Sequence, residues 1–185
     1  MLLEIGYDRR RAWEYAHRWA YGRNPLFYNF TGIGGDCTNF ISQCLLAGCC
    51  TMNCTPTFGW YYNSASDRTA SWTGVQYLYN FLTSNTGPGP YGREARLGEL
   101  ETGDLVQLGD SQGQFYHTLF ITGCRGGRCL VAAHSYDTFG RPLGSYSFAR
   151  LRPIKLEGCR DAAAPAPDCF ANLINAVAIP GRCLR

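Results

Sequence analysis

The chain has 185 residues, 45% of them hydrophobic and 17% charged, with a formal net charge of +3. That length suits one domain with a real core, and that composition excludes wholesale disorder. The small, scattered positive charge argues against a nucleic-acid partner, and no stretch reaches the ~20 apolar residues of a membrane span.

Met1-Leu2-Leu3-Glu4-Ile5 is too short and too soon charged for a secretory signal. A cytoplasmic location is therefore expected of the chain as it stands, although a piece of a longer secreted or wall-associated protein would look the same. Ten cysteines, an even number, suit a disulfide framework in an oxidising compartment. The lack of a signal favours reduced thiols instead. No CxxC occurs, so the cysteines match no familiar zinc spacing, and nothing calls for a metal or a cofactor.

Residues 8–22 read as a helix, with Asp8 as N-cap, Gly22 as stop and Ala12, Tyr15, Ala16 and Trp19 along one stripe. Arg9, Arg10 and Arg11 would decorate a solvated face, and His17 reads as a partly exposed structural histidine. After a glycine-rich loop, residues 37–47 form a second helix that places Cys37, Ile41, Cys44 and Gly48 on one face. Residues 58–82 are aromatic-rich; Trp60 and Trp72 are candidates for a substrate wall, and a third helix covers 73–83. Residues 86–92 are a turn-rich connector.

From Asp104 the period changes to two, predicting strands at 104–108, 117–122, 129–136 and 149–156, the last an edge strand because of Pro153. Residues 161–167 read as a linker and 169–180 as a short docked helix. The expected fold class is α+β, with N-terminal helices packed on a mostly antiparallel sheet. Residues 1–158 would form the domain and 159–185 a tail.

Chemistry concentrates at Cys37. A thiol at a helix start meets unpaired N–H groups and the positive end of the helix dipole, which favour the nucleophilic thiolate. Two histidines arrive later on neighbouring strands. A four-residue loop at 124–127 would pair Ile121 with Leu130, Leu119 with Ala132 and His117 with His134, putting both imidazoles on one face. A slip of one residue would separate them. Cys37 is then the nucleophile, His117 the general base and acid, and His134 the orienting partner, with Asp137 as a substitute orienter. The Cys37 N–H would supply one oxyanion donor. Tyr28 and Asn29 are candidates for the second. Gly35 would let substrate backbone approach, and Asp36 fits a helix cap. No role in the reaction is assigned to Cys44, which reads as a small core residue.

The run DCTNFISQCL resembles the nucleophile helix of NlpC-type cell-wall peptidases. GDLVQLG, HTLFITG and VAAHS resemble the three strands that follow in that papain-like fold. Over about residues 7–157 the chain is similar to the bacterial putative amidase domain family, on YDRRRAWEYAHRWAYGRNPLFYNFTGIGGDCTNFISQCLLAG, SWTGVQYLYNFL and AHSYDTFGRPLGSYSF. The resemblance implies amide-bond hydrolysis on peptide or peptidoglycan-like substrates, with Cys37, His117 and His134 as catalytic residues. The alternatives are a non-enzymatic cysteine-stabilised binding module and an acyltransferase of the same fold. A disulfide at Cys37 would exclude the enzyme.

Overall fold

The computed structural model describes residues 1–183. In chain order its elements are β1 (Leu3–Glu4), α1 (Arg9–Trp19), α2 (Cys37–Cys49), β2 (Tyr62–Ser64), β3 (Asp67–Arg68), α3 (Ala70–Thr73), α4 (Val75–Ser84), β4 (Gly89–Glu94), β5 (Leu105–Gly109), β6 (Phe115–Arg125), β7 (Arg128–Ala133), β8 (Thr138–Pro142), β9 (Arg150–Asp161) and α5 (Cys169–Ile174). The class is α+β. Helices come first, and a seven-stranded, mostly antiparallel sheet follows in the order β1-β9-β5-β6-β7-β8, with β4 also paired to β9.

Local chemistry sets most boundaries. Asp8 caps α1 by accepting from Arg11 N at 3.0 Å. The helix ends before Gly22, and Ala12, Tyr15, Ala16 and Trp19 form its buried stripe. The helix expected over 73–83 is divided at Gly74, whose extended backbone separates α3 from α4. Two expectations fail in the sheet. The connector at 86–92 contains β4, which pairs with β9 from Gly89 to Glu94. Pro153 is not on an edge strand, because β9 lies between β5 and β4. The proline is tolerated since β4 stops at Glu94, opposite Ile154, one residue before it.

The sheet is covered on both faces. Leu105, Phe120, Ala132, Ile154 and Leu156 point into the main core with α1, α2, Trp60 and Trp72. Their neighbours Val106, Leu108, Leu119, Ile121, Val131 and Ala133 form a second, smaller core with Leu143 on the far side. Arg9 departs from the solvated face expected of it. Its guanidinium reaches inward to Asp104 Oδ1 (2.8 Å), Thr102 O (3.0 Å) and Leu156 O (2.6 Å). Asp104 is fully buried and also accepts from Leu156 N and Glu101 N. This cluster therefore ties α1 to β5 and β9.

The expectation of reduced thiols is also corrected. Cys50–Cys169, Cys54–Cys183 and Cys124–Cys129 are disulfides, while Cys37, Cys44, Cys49 and Cys159 are free and buried. Two of these bonds fasten the C-terminal segment to the domain, and Leu173, Ile179 and Cys183 join the main core. The helix anticipated over 169–180 is the shorter α5, docked there.

Candidate functional site

Gly34 and Gly35 take φ of +81° and +92°, conformations that residues with a Cβ rarely adopt, and so turn the chain into α2 at Cys37. Asp36 occupies the N-cap position, but its side chain makes no capping bond. It turns instead into the protein, where it is fully buried. Oδ1 accepts from Phe30 N (3.0 Å) and Asn39 Nδ2 (2.8 Å). Oδ2 meets His134 Nδ1 at 2.6 Å and Arg23 Nε at 3.2 Å. Burial pushes the carboxyl pKa up, but hydrogen bonds from His134, Asn39 and the Phe30 N–H outweigh it and hold the group below its ordinary value.

His134 follows the last residue of β7 and is 1% exposed. Its Nε2 lies 2.9 Å from Trp19 O, and its ring stacks on Phe40 with centroids 4.0 Å apart. Both ring nitrogens face oxygen acceptors, an arrangement that a ring with two N–H groups satisfies. Ser135 (φ +63°) and Tyr136 (φ +68°) then turn the chain sharply away, and Ser135 Oγ accepts from Asp36 N at 3.5 Å.

Cys37 is 7% exposed, and its Sγ lies 3.7 Å from Thr38 Oγ1. Thr38 Oγ1 in turn bonds Thr118 Oγ1 on β6 at 3.0 Å. Side chains advance about 100° per residue around a helix. Cys37 therefore projects between the direction of Thr38, toward β6, and that of Phe40, toward His134. The helix start thus lies across both strands, through Thr38 on one and Phe40 on the other.

His117 is elsewhere. Gly126 and Gly127, both at positive φ, close a two-residue turn between Arg125 and Arg128, shorter than the four-residue loop expected. A bulge at Thr122 absorbs one further residue, so Phe120 pairs with Ala132 and Ile121 with Val131. Thr118, not His117, is then in line with His134. His117 shares its face with Leu119 and Ile121, on the far side of the sheet from α2, and its ring lies 6.2 Å from that of Tyr146. Burial, with the nearby Arg141 charge, lowers its pKa to about 4. The side-by-side histidine pair is therefore not formed.

Other candidates sort as follows. Asp137 is no orienter; it forms a bidentate pair with Arg23, at 2.9 and 3.0 Å. Trp60 and Trp72 cannot be a substrate wall, because both are fully buried, bonded to Ser42 Oγ and Asn39 Oδ1. Tyr28 is half exposed; its N–H is taken by Tyr62 Oη and its carbonyl by Asn39. Asn29 accepts from Thr31 N in a local turn. Gly35 lies beside Ser135, whose Oγ is 3.8 Å from where a Cβ would stand. Missed from the sequence were Arg23 and the Trp19 carbonyl, and Asp36 as the partner of His134. The adjacent Asp-Cys pair was the one signal pointing there.

Among the described residues no group of three or more His, Cys, Asp and Glu side chains could hold a metal ion, and no helix is long and apolar enough to cross a membrane. No solved structure matches the chain. The protein named Uncharacterized protein YhbB from Bacillus subtilis (strain 168) is 34% identical over 136 residues, which cover 71% of this chain and 42% of that protein. The model of the putative amidase domain matches residues 6–155. The loop, α2 and the strands just described all fall within that match, and the chain belongs to the putative amidase domain family.

Proposed function

We propose that this domain hydrolyses an amide bond through a thioester on Cys37, with His134 as its imidazole partner and Asp36 as the carboxylate that orients the ring. The observation that carries it is the 2.6 Å contact of Asp36 with His134, placed at the cap of the helix that Cys37 begins. A carboxylate on Nδ1 fixes a ring so that Nε2 can serve the nucleophile.

In this mechanism His134 Nε2–H is shared between Trp19 O, which keeps the ring in place, and the Cys37 thiolate. The sulfur attacks the amide carbonyl, and the Nε2 proton passes to the departing amine. The neutral ring then takes a proton from water as water opens the thioester. The Cys37 backbone N–H, free at the helix start, serves the developing oxyanion.

The proposal extends to a papain-like, NlpC-type fold and to cell-wall peptides as substrates. The helix-then-sheet order and the cysteine at the helix start support it. Three disulfides favour action in an oxidising compartment rather than the cytosol.

The test is digestion of peptidoglycan fragments, with mass spectrometry of products and of the acylated enzyme. Cys37→Ala abolishes turnover, and His134→Ala lowers it by about 10²–10⁴. Intact substrates, with Cys37 never acylated, would reject the mechanism. The alternative base, His117, stands on the far side of the sheet from α2, while its neighbour Thr118 turns toward Thr38. Loss of turnover in His117→Ala but not in His134→Ala would select that alternative.

A further inference from the structure

The segment 162–183 follows the matched domain, yet it is joined to the candidate site by an unbroken set of bonds. Cys169 opens α5 and is bonded to Cys50, the C-cap residue that follows α2. The Leu173 side chain is fully buried in the main core. Two successive carbonyls of α5 then hold the two ends of the turn that leaves α1. Ile174 O accepts from Trp19 Nε1 at 3.1 Å, and Leu173 O accepts from Asn24 Nδ2 at 2.9 Å. Beyond α5, Cys183 is bonded to Cys54, and Asn63 takes both its N–H and its carbonyl, at 3.0 and 2.8 Å. Trp19 is the link inward, because its carbonyl receives His134 Nε2 at 2.9 Å.

We propose that the C-terminal segment is a disulfide-fastened strap that positions His134 through Trp19, making Trp19 a positioning residue for the Cys37 reaction. The inference rests on the function proposed above. It goes beyond it by assigning a role to residues outside the family match and by making that role redox-dependent. Each disulfide is opened by two electrons from a dithiol. The dithiol leaves oxidised, as a cyclic disulfide, and two cysteine thiols remain on the protein. With both bonds open, only non-covalent contacts hold α5, and Trp19 loses its fixed acceptor. Both bonds are long-range, 119 and 129 residues apart in sequence, so their opening frees the strap without cutting into the sheet.

The test compares full-length wild type, Trp19→Phe, and the quadruple variant with Cys50, Cys54, Cys169 and Cys183 all changed to Ser. Iodoacetamide labelling of Cys37 at neutral pH is followed by peptide mass spectrometry, and the His134 Nε2–H resonance is followed by NMR. Trp19→Phe keeps a buried ring and the backbone carbonyl but removes the indole N–H. The expected result is a shifted, faster-exchanging His134 Nε2–H, with Cys37 labelling slowed about fivefold, the factor that one net hydrogen bond is worth. The quadruple variant, if folded, shows a larger loss. Unchanged labelling and an unchanged His134 signal in folded Trp19→Phe would overturn the strap. A separate control tests the parent reading: wild-type Cys37 that labels no faster than in His134→Ala would remove His134 as its partner, whatever Trp19 does.

Discussion

Asp36 Oδ2 and His134 Nδ1 meet at 2.6 Å across 98 positions of sequence. That contact closes the helix start onto the end of β7, and Arg23 and Asn39 complete the ring of donors. Asp36→Ala would leave the buried His134 and the Arg23 guanidinium without their shared carboxylate, and should cost about 3–5 kcal/mol in urea unfolding. The folded-state pKa of Asp36 is depressed, so its stabilisation is present above the ordinary carboxylate value of 3.8 and is lost as pH falls below it. Asp36→Asn should therefore flatten the acid limb of the stability profile.

His117 titrates in a different window. Its value is lowered from 6.5 to about 4, so the unfolded chain takes up the proton first. Stability should fall by about 2–3 kcal/mol as pH drops from 6.5 to 4, with no contribution from His117 above that range. His117→Leu should remove this slope. An equal slope in that variant, measured by denaturant midpoints at each pH, would show that the ring is not held neutral.

Thiol counting separates the ten cysteines. Native protein should take one iodoacetamide label, at Cys37. Denatured but unreduced protein should take four, at Cys37, Cys44, Cys49 and Cys159, and reduction should expose all ten. Burial pushes the Cys44 thiol up, and burial with the adjacent Cys159 thiol does the same for Cys49, so neither competes in the native state.

The double variant Cys54→Ser/Cys183→Ser opens a loop of 129 residues. Loop-closure entropy alone assigns such a bond about 4–5 kcal/mol. The overlapping Cys50–Cys169 bond already constrains nearly the same loop, so the measured loss should be smaller. Thermal unfolding with and without reductant would reveal the difference. Equal melting temperatures in the reduced and oxidised wild type would mean that neither bond contributes.

Local signals were legible where one residue decides one boundary. Asp8 as a cap, the change to period two after Asp104 and the helix beginning at Cys37 all follow from side-chain chemistry close in sequence. The hairpin was not, because its register depends on two small choices: the Gly126–Gly127 turn and the extra residue at Thr122. Together they move one histidine to the other face. Trp60 and Trp72 misled for a related reason, since an indole suits a binding wall and a core equally well until its N–H finds a buried acceptor. The Asp36–His134 contact and the long-range disulfides depend on tertiary placement, which no local pattern encodes.

The way the C-terminal segment is fastened bears on where this chain can be divided. A fragment ending at residue 155, where the family match stops, would cut β9 midway and discard Cys169 and Cys183. Cys50 and Cys54 would then be orphaned beside an uncovered apolar seat, free to cross-link one molecule to another. The family match therefore stops short of the segment that these two disulfides tie down.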